Sequence, residues 1–586
     1  MVAYPGSAAA AHAPPRGNIN PKPRMNKWTG WAVFLSAAVL FLVANRNAYQ
    51  GFFQGDELDS LSWTPRAPAA IFARNLVSPI YSTRNFRPVG HLYFRLASEA
   101  FGLDFGKYLL PLHLIHLLNV WLLWMVLRNL GASPFAAGAG ALFFAFHLAV
   151  FDVYWKPMYA FDLFCGTFCL ISFLLWIKRR WALSFLAFWL AYKSKELAVM
   201  LPAVLACYEF WFGKRRWRPL IPFLLASLSF GLQGILRNPN RNNDYTLHFT
   251  PAALEASANF YAAGLFGIPF AGFALLTLPA ARRERRAWLG VAAAGLFLVP
   301  LVFLPGRLFS AYWYVPLIGV AIAFSSLADA RRGWLAAVFL AAWLPWNYLE
   351  LAEYGKQKLA GDAGSRDYVT QLLASASSLE GIPTFLYHGL PPSFAAWGVG
   401  GALNYLHPAM DARVYPMDTP PAEAPPRTAD IATLVWEPNH RRLWIAAHDA
   451  LTLDSTYIMM NQTTPVWQLT AGWYGLEDGF RWTAPRSTAR LYRAARATQF
   501  EVVLNMGPQL LTALGHTDFS VRLNGVALGA GRLTEPGIRT LRWPLPPGAP
   551  GTVAIEFQAG PPCFPHDDPR TLGAAIVSFG FLPSGR

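Results

Sequence analysis

A series of apolar stretches in the first 350 residues limits what this chain can fold into. An α-helix crosses the hydrocarbon core of a membrane in about 20 apolar residues. Runs of about this length lie at 28–46, 107–127, 134–152, 159–177, 196–212, 219–236, 257–280, 287–304, 310–328 and 333–350. Only 14% of the residues are charged, whereas a soluble domain carries about 25%. The sequence therefore predicts an integral membrane protein and argues against a soluble or disordered chain.

The net charge of +16 follows the predicted topology. Cytoplasmic connections are enriched in Lys and Arg. Basic residues recur in the N-terminal tail and in alternate connections, at Arg16, Lys22, Arg24, Lys27, Arg128, Lys178–Arg180, Lys214–Arg216, Arg282–Arg286 and Arg331–Arg332. The alternation requires the short apolar segment Trp181–Tyr192 to count as one crossing, which gives about eleven transmembrane helices. Topology then accounts for the charge without nucleic-acid binding. It predicts a multi-pass protein of the cell inner (plasma) membrane with a cytoplasmic N-terminus.

In the last 230 or so residues the apolar runs become shorter, and this part is predicted to lie on the extracytoplasmic side of the membrane. Short runs that alternate apolar and polar residues, such as Phe519–Asn524 and Thr552–Phe557, are separated by turn signals such as Asn524-Gly525. Alternation of this kind is typical of a β-sandwich. We divide the chain into a cytoplasmic tail (1–27), a transmembrane domain (28–355), an extracytoplasmic mixed α/β segment (356–469) and a β-sandwich (470–586).

Acidic residues open the first connection predicted to lie outside. Asp56 and Glu57 follow the first span by about nine residues. They can simply be solvated at the membrane surface. Alternatively, Asp56 or Glu57 acts on a polar substrate there, because a carboxylate can remove a proton from an acceptor hydroxyl or hold a divalent metal.

Several cations also lie on the outer side, where the positive-inside bias does not explain them. Arg87 lies in the same connection as Asp56, Lys193 and Lys195 follow the short helix, and Arg307 lies among aromatic residues. Guanidinium and ammonium groups suit a lipid-linked phosphate. The alternatives are snorkelling and pairing with Glu196 for the two lysines, and an interfacial aromatic belt around Arg307.

Polar residues within or beside the spans form a third group of candidates. Asp162 lies just inside a span, where a carboxylate is a functional candidate, although capping or pairing with Lys156 would also explain it. Asp152 and Lys156 border the second connection predicted to lie outside. His116 and Asn119 share a helical face with His113, and helix packing explains that face as well as catalysis does. No zinc site is legible, because further ligands at metal spacing are missing.

The order of these residues resembles the GT-C superfamily of polytopic lipid-phosphosugar glycosyltransferases. This superfamily includes protein O-mannosyltransferases and lipid A aminoarabinose transferases, and the membrane part is most similar to the transmembrane-and-TPR O-mannosyltransferases. The matching motifs are Phe86-Arg87-Pro88-Val89, His116-Leu-Leu-Asn119, Phe146-His147-Leu148, Ala160-Phe161-Asp162-Leu163-Phe164, Ser194-Lys195-Glu196 and Trp313-Tyr314-Val315-Pro316. They span roughly residues 50–320. Two family motifs are altered here. The motif Phe-His-Pro lacks its proline, since Leu148 follows His147, and the motif Arg-Ala-Asp lacks its arginine before Asp162. No TPR helices follow the membrane part.

The resemblance implies a GT-C-like helical domain and a sugar donor linked to polyprenyl phosphate. Carried over residue by residue, it makes Asp56 the catalytic carboxylate, with Glu57 beside it, and makes Arg87, Lys195 and Arg307 phosphate contacts. The segment from Gly472 to Thr483 resembles the outer domains of bacterial envelope glycosyltransferases. The sandwich is therefore a candidate carbohydrate-binding module, unless its Trp473 and Trp482 belong to the core.

The resulting hypothesis is a membrane glycosyltransferase that acts on the extracytoplasmic face. It would pass a sugar to a protein, lipid or polysaccharide acceptor of the envelope, with Asp152, Asp162, His116 and Glu196 in supporting or acceptor roles. Two alternatives remain: a transporter or flippase of the same lipid, and a membrane-anchored glycan-binding or assembly protein. The sequence identifies no cofactor and leaves the use of Mg²⁺ or Mn²⁺ open.

Overall fold

The computed structural model describes residues 27–583, apart from 81, 83–84, 238–242, 332, 408–411, 417–430, 439–440, 449–453, 462–463, 465–467, 565–567 and 569. The predicted cytoplasmic tail lies almost wholly outside the described residues. The helices of the first part are α1 Lys27–Ala44, α2 Gly55–Trp63, α3 Ala69–Val77, α4 Pro88–Phe101, α5 Phe105–Asn129, α6 Pro134–Ala145, α7 Phe151–Trp155, α8 Ala160–Ile177, α9 Trp181–Ser194, α10 Leu201–Trp211, α11 Ile221–Leu236, α12 Pro251–Phe266, α13 Leu278–Arg282, α14 Arg285–Leu298, α15 Pro316–Ala328 and α16 Trp334–Ala374.

Every apolar run of the sequence contains or overlaps one of these helices, and the chain is a membrane protein by their composition. Among the described residues, four helices are long and apolar enough to cross a membrane, or up to six if each bent pair counts as one span. The bends measure 48° between Pro134–Ala145 and Leu148–Trp155, and 91° between Pro251–Phe266 and Ala271–Arg282. The eleven crossings therefore stay a prediction, since several helices are shorter than a span.

The connection between α1 and α5 is folded rather than extended. It contains α2, α3 and α4, and α2 begins with a capping box in which Gln54 and Glu57 satisfy each other's backbone and side-chain groups. Such a box fixes the first turn of a helix. Asp56 therefore lies in a turn whose orientation is set locally.

Helix α16 is much longer than the apolar run that predicted it. It continues past residue 350 to Ala374 and keeps one face buried through Leu351, Gly355, Asp362 and Tyr368. Because a helix rises about 1.5 Å per residue, its 41 residues extend well beyond a membrane of ordinary thickness. The helix links the membrane part to the domain that follows.

That domain is a small α/β unit with four strands in the order β2-β1-β3-β4. Its elements are β1 Thr384–His388, α17 Ala396–Leu406, β2 Arg413–Pro416, β3 Ile431–Glu437 and β4 Arg442–His448. Strand β1 pairs in parallel with β2 and β3, while β4 pairs antiparallel with β3. Helix α17 is the crossover between β1 and β2, so the predicted mixed α/β character is present.

The crossover helix packs directly on α2. A Cβ added at Gly401 would lie 2.6 Å from the backbone of Leu58 and Asp59, and one at Gly398 would lie 2.8 Å from the Cα of Gly55. Glycines at these positions let the two backbones approach closely. The α/β unit is therefore fixed to the helix that carries Asp56, as expected if both lie on the same side of the membrane.

The described residues of the C-terminal part form a nine-stranded, largely antiparallel sheet with a core of its own. Its strands are β5 Tyr457–Met459, β6 Leu469–Glu477, β7 Phe480–Arg493, β8 Ala497–Met506, β9 Thr517–Leu523, β10 Val526–Leu533, β11 Gly537–Pro544, β12 Gly551–Gly560 and β13 Ala575–Pro583, with α18 Pro508–Leu514 after β8. The predicted sandwich forms as one barrel-like sheet, because the end strands β10 and β11 pack together through Trp543 over Gly529. Trp473 is buried in the core, and Trp482 packs against it.

We expect Gly401→Ala to loosen the contact between α17 and α2. The added methyl group meets backbone rather than a movable side chain, and overpacking of this kind costs about 1–3 kcal/mol. A thermal unfolding midpoint measured on the protein in nanodiscs should fall. The matched control is Gly400→Ala, whose added Cβ meets only Val414 Cγ2 at 3.7 Å. An equal midpoint for the two variants would contradict the tight contact.

Candidate active site

Asp56 lies in the first turn of α2 with its side chain exposed. The N-terminal end of a helix carries partial positive charge, which favours a carboxylate there. The indole Nε1 of Trp397 donates a hydrogen bond to Asp56 Oδ1 at 2.8 Å. The carboxylate is thus accessible and oriented by a residue of the α/β unit.

Glu57, the second predicted catalytic carboxylate, has a different environment. It is buried, and its oxygens accept hydrogen bonds from the backbone N–H of Gln54 at 3.0 Å and of Met158 at 3.3 Å. Burial raises the pKa of Glu57, against the opposing charge of Lys358. These contacts tie α2 to the 152–159 connection, so Glu57 is placed to position Asp56 rather than to meet a substrate.

A buried carboxylate from α16 holds the residues just before Asp56. Asp362 accepts hydrogen bonds from Phe52 N at 3.1 Å and from Gln54 Nε2 at 2.9 Å, and it pairs with Lys358 at 3.0 Å. Asp362 and Trp397 are not among the residues predicted from the sequence, and they lie more than 300 residues from their partners. The i,i+4 spacing of Lys358 and Asp362 could have indicated Asp362. The single tryptophan in the small-residue run 395–401 could have indicated Trp397.

Two of the predicted phosphate-binding cations are engaged in ion pairs. Arg87 Nε lies 3.0 Å from both carboxylate oxygens of Glu196, and Lys195 Nζ lies 2.6 Å from Asp162 Oδ1. Ion pairing, the alternative predicted for Asp162 and Lys195, is therefore present, but with other partners: Asp162 pairs with Lys195, and Glu196 pairs with Arg87. The charge of Glu196 raises the pKa of Arg87, although burial alone would lower it.

Arg307 differs from these cations. No described carboxylate pairs with it, and its guanidinium lies 4.3 Å from the ring centre of Tyr245 and 4.6 Å from that of Phe309. Its Nη2 approaches the Tyr312 hydroxyl at 3.4 Å. Burial alone would lower its pKa, but the surrounding tyrosines and Asp56 raise it. Arg307 is therefore positively charged, and the charge of Asp56 contributes to this stabilisation.

Tyr312 joins the arginine to the buried ion pair. Besides contacting Arg307, its ring lies 4.3 Å from Lys195 Nζ. The residue belongs to a short 3-10 helix, Ser310–Trp313, just before α15. The predicted residues Asp56, Arg87, Asp162, Lys195, Glu196 and Arg307 are thus brought into one region of the molecule.

The remaining predicted residues have mainly packing contacts. Lys193 donates to the Ser78 carbonyl at 2.6 Å among aromatic rings, and Asp152 pairs with Lys156 at 3.2 Å. His116 is buried with Asn119, and the Tyr314 hydroxyl lies 2.9 Å from a nitrogen of each. Among the described residues, no group of three or more His, Cys, Asp or Glu side chains could hold a metal ion.

A cavity of about 470 Å³ opens beside this region. Gln54, Asp152, Lys156, Lys358 and Ser310 contribute to its polar lining, and Trp343, Trp346, Phe151 and Tyr354 supply aromatic walls. Gln54 lies two residues before Asp56, and Ser310 lies two residues before Tyr312. The cavity is therefore bordered by the elements that carry the candidate site.

We expect Lys195→Ala to destabilise the protein strongly. Asp162 and Lys195 retain only 2% and 10% of their side-chain exposure, and leaving one partner of a buried ion pair uncompensated costs about 3–5 kcal/mol. The double variant Asp162→Leu/Lys195→Met should recover much of the loss in a thermal unfolding assay. The control is Lys156→Ala, whose pair with Asp152 is more exposed. A loss no larger than that control's would contradict the buried pair.

Comparison with known proteins finds similarity in structure only. No family model and no curated protein matches the sequence. ArnT from Cupriavidus metallidurans, solved with undecaprenyl phosphate, is 16% identical with a TM-score of 0.43 and matches 70% of this chain and 94% of its own. Mycobacterial arabinofuranosyltransferase AftD is 13% identical (TM-score 0.43), and this chain spans 58% of its length while matching over 94% of itself.

The oligosaccharyltransferase of Archaeoglobus fulgidus is 9% identical, with a TM-score of 0.43. The match covers 94% of this chain and 96% of that protein. Two of these three structures are named as transferases of sugars, an arabinofuranosyltransferase and an oligosaccharyltransferase.

Proposed function

We propose that this protein is a membrane glycosyltransferase that moves a sugar from a polyprenyl-phosphate donor to an envelope acceptor on the extracytoplasmic face. The observation that supports this most directly is that the site contains both an accessible carboxylate and a cation without a carboxylate partner. Asp56 is an exposed carboxylate held in a helical first turn, and Arg307 is a cation that the charge of Asp56 influences and that has no carboxylate partner among the described residues. A proton acceptor next to a phosphate-binding cation is what glycosyl transfer from a phosphate requires.

Asp56 acts on the acceptor in this proposal. Its carboxylate takes the proton of an acceptor hydroxyl as the oxygen forms a bond to the anomeric carbon of the donor sugar. The bond between that carbon and the phosphate oxygen breaks, and its electron pair leaves with the lipid phosphate. A direct displacement of this kind inverts the anomeric configuration. Glu57 and Asp362 keep Asp56 in place through the contacts of α2.

Arg307 receives the leaving phosphate in this proposal. Arginine binds phosphate with two parallel N–H donors, and the Nε of Arg307 has no hydrogen-bond partner among the described residues. Arg87 and Lys195 are already neutralised by Glu196 and Asp162, so their proposed share is secondary. They orient the walls of the donor site and supply a positive field, while Lys193 packs α9 against the Ser78 segment.

Asp56→Asn tests the role of the carboxylate. Mass spectrometry of envelope glycans, glycoproteins and polyprenyl-linked sugars should compare cells that carry the wild type or the variant at equal membrane abundance. We expect one glycosylated product to fall at least about 100-fold, as for loss of a general base, and its lipid-linked donor to accumulate.

The matched control is Asp59→Asn, which changes an exposed carboxylate one turn further along α2. A wild-type amount of glycosylated product in cells with Asp56→Asn would contradict the proposed glycosyltransferase mechanism. Accumulation of donor on the inner leaflet alone would favour a flippase. Unchanged pools of both compounds would favour a glycan-binding or assembly protein.

Arg307→Ala tests the phosphate contact. We expect transfer to fall about 100–1,000-fold, the range seen when one donor to a developing negative charge is removed, with partial recovery in Arg307→Lys. Titration of undecaprenyl phosphate by native mass spectrometry should show weaker binding. Arg215→Ala is the control, because Arg215 is an exposed arginine that also lies over an aromatic ring, that of Phe210. Equal lipid binding in the Arg307 and Arg215 variants would refute the assignment.

A further inference from the structure

A tryptophan of the α/β unit reaches the candidate active site. Trp397 lies near the start of α17, and its indole N–H donates to Asp56 Oδ1 at 2.8 Å. No described residue hydrogen-bonds the second carboxylate oxygen of Asp56. The hydrogen bond therefore fixes the orientation of the carboxylate and leaves one oxygen available.

The position of Trp397 is fixed by the close approach of two helices. A Cβ added at Gly55 would lie 2.7 Å from Trp397 Nε1, and Gly398 and Gly401 let the α17 backbone lie against the α2 backbone. A side chain at any of these three positions would push the indole away from Asp56. The arrangement is thus built into the backbone of both helices rather than held by one hydrogen bond.

The ring of Trp397 is nevertheless left open. Fifty-eight per cent of the residue is exposed, although its N–H is engaged and its neighbours in α17 are largely buried. The ring is held beside the Asp56 carboxylate by the hydrogen bond of its N–H, so a ligand bound to that carboxylate would also meet the exposed ring. Because tryptophan is rigid and amphipathic, it contacts ligands at a low entropic cost.

We propose that Trp397 binds the acceptor and that the acceptor is a saccharide, an inference that rests on the proposed glycosyltransferase function. The C–H face of a sugar ring packs on the indole, and a hydroxyl of that ring reaches the available oxygen of Asp56. The two groups together present an apolar plane and a hydrogen-bond acceptor side by side, which matches the two faces of a sugar. A serine or threonine side chain has no such plane to place on the indole.

The test uses photoreactive neutral glycosides and the full-length protein in nanodiscs. The probes are octyl β-D-glucopyranoside, octyl β-D-galactofuranoside and octyl α-D-arabinofuranoside, each with a diazirine on the sugar. A fourth probe, a phosphatidylcholine with a diazirine in its head group, reports contact with the membrane surface. Labelled peptides are identified by mass spectrometry. We expect at least one glycoside to label α17 or α2, and unlabelled octyl glycoside to compete.

Two variants distinguish the contribution of the Trp397 ring to labelling from that of its N–H group. Trp397→Phe keeps an aromatic face and should retain labelling within about threefold, while Trp397→Ala should lose at least about tenfold, which corresponds to about 1.4 kcal/mol. Trp334→Ala is the control, because Trp334 is similarly exposed (61%) at the start of α16. Unfolding midpoints of all variants verify that each is folded, which the exposure of both residues predicts.

Three results would overturn the proposal: glycoside labelling that survives Trp397→Ala, equal loss in Trp397→Phe and Trp397→Ala, or preferential labelling of Trp397 by the phospholipid probe. The last would identify the indole as a membrane anchor. Failure here is distinguishable from failure of the proposed function. The labelling needs no turnover, whereas Asp56→Asn is judged by transfer alone.

Discussion

The position of α2 depends on two buried carboxylates that bind backbone N–H groups. Glu57 accepts from Gln54 and Met158, and Asp362 accepts from Phe52 and from the side chain of Gln54. A buried carboxylate that lost these donors would be left with a large desolvation penalty. The contacts therefore hold together the first connection, the 152–159 connection and α16. These hydrogen bonds also set the position of Asp56, although Asp56 itself is exposed.

The charges in this region divide into those that hold the structure and those left for a ligand. Arg87 is paired with Glu196 in a partly buried ion pair, and Lys195 is paired with Asp162 in a buried one. Such pairs fix geometry more than they add stability. Arg307 is surrounded by aromatic rings and has no described carboxylate partner, so its charge is not neutralised locally. The same reasoning applies to the carboxylates, since Glu57 is saturated by donors and Asp56 is exposed. The proposed roles therefore go to Arg307, which has no described carboxylate partner, and to Asp56, whose second carboxylate oxygen accepts no hydrogen bond from a described residue.

The helical and β-rich parts could be predicted because their signals are local. Length and apolarity of each run placed a helix at every predicted span, and alternation with turn residues placed the C-terminal strands. The length of α16 could not be predicted in this way. Its second half is amphipathic and buries one face against the α/β unit, so its continuation to Ala374 depends on tertiary contact. The curling of the C-terminal sheet likewise depends on Trp543 meeting Gly529 across strands that do not pair.

The sequence by itself determined the membrane class, the order of helical and β-rich parts, and most of the charged residues that gather around Asp56. Hydropathy, charge alternation and motif order are properties of neighbouring residues, so they can be read along the chain. Only the tertiary structure decided which charges pair, and that Trp397 and Asp362 support the Asp56 segment. Those contacts join residues more than 300 positions apart. They arise because α17 and α16 pack on α2, and packing between distant helices leaves no periodic trace in a single sequence.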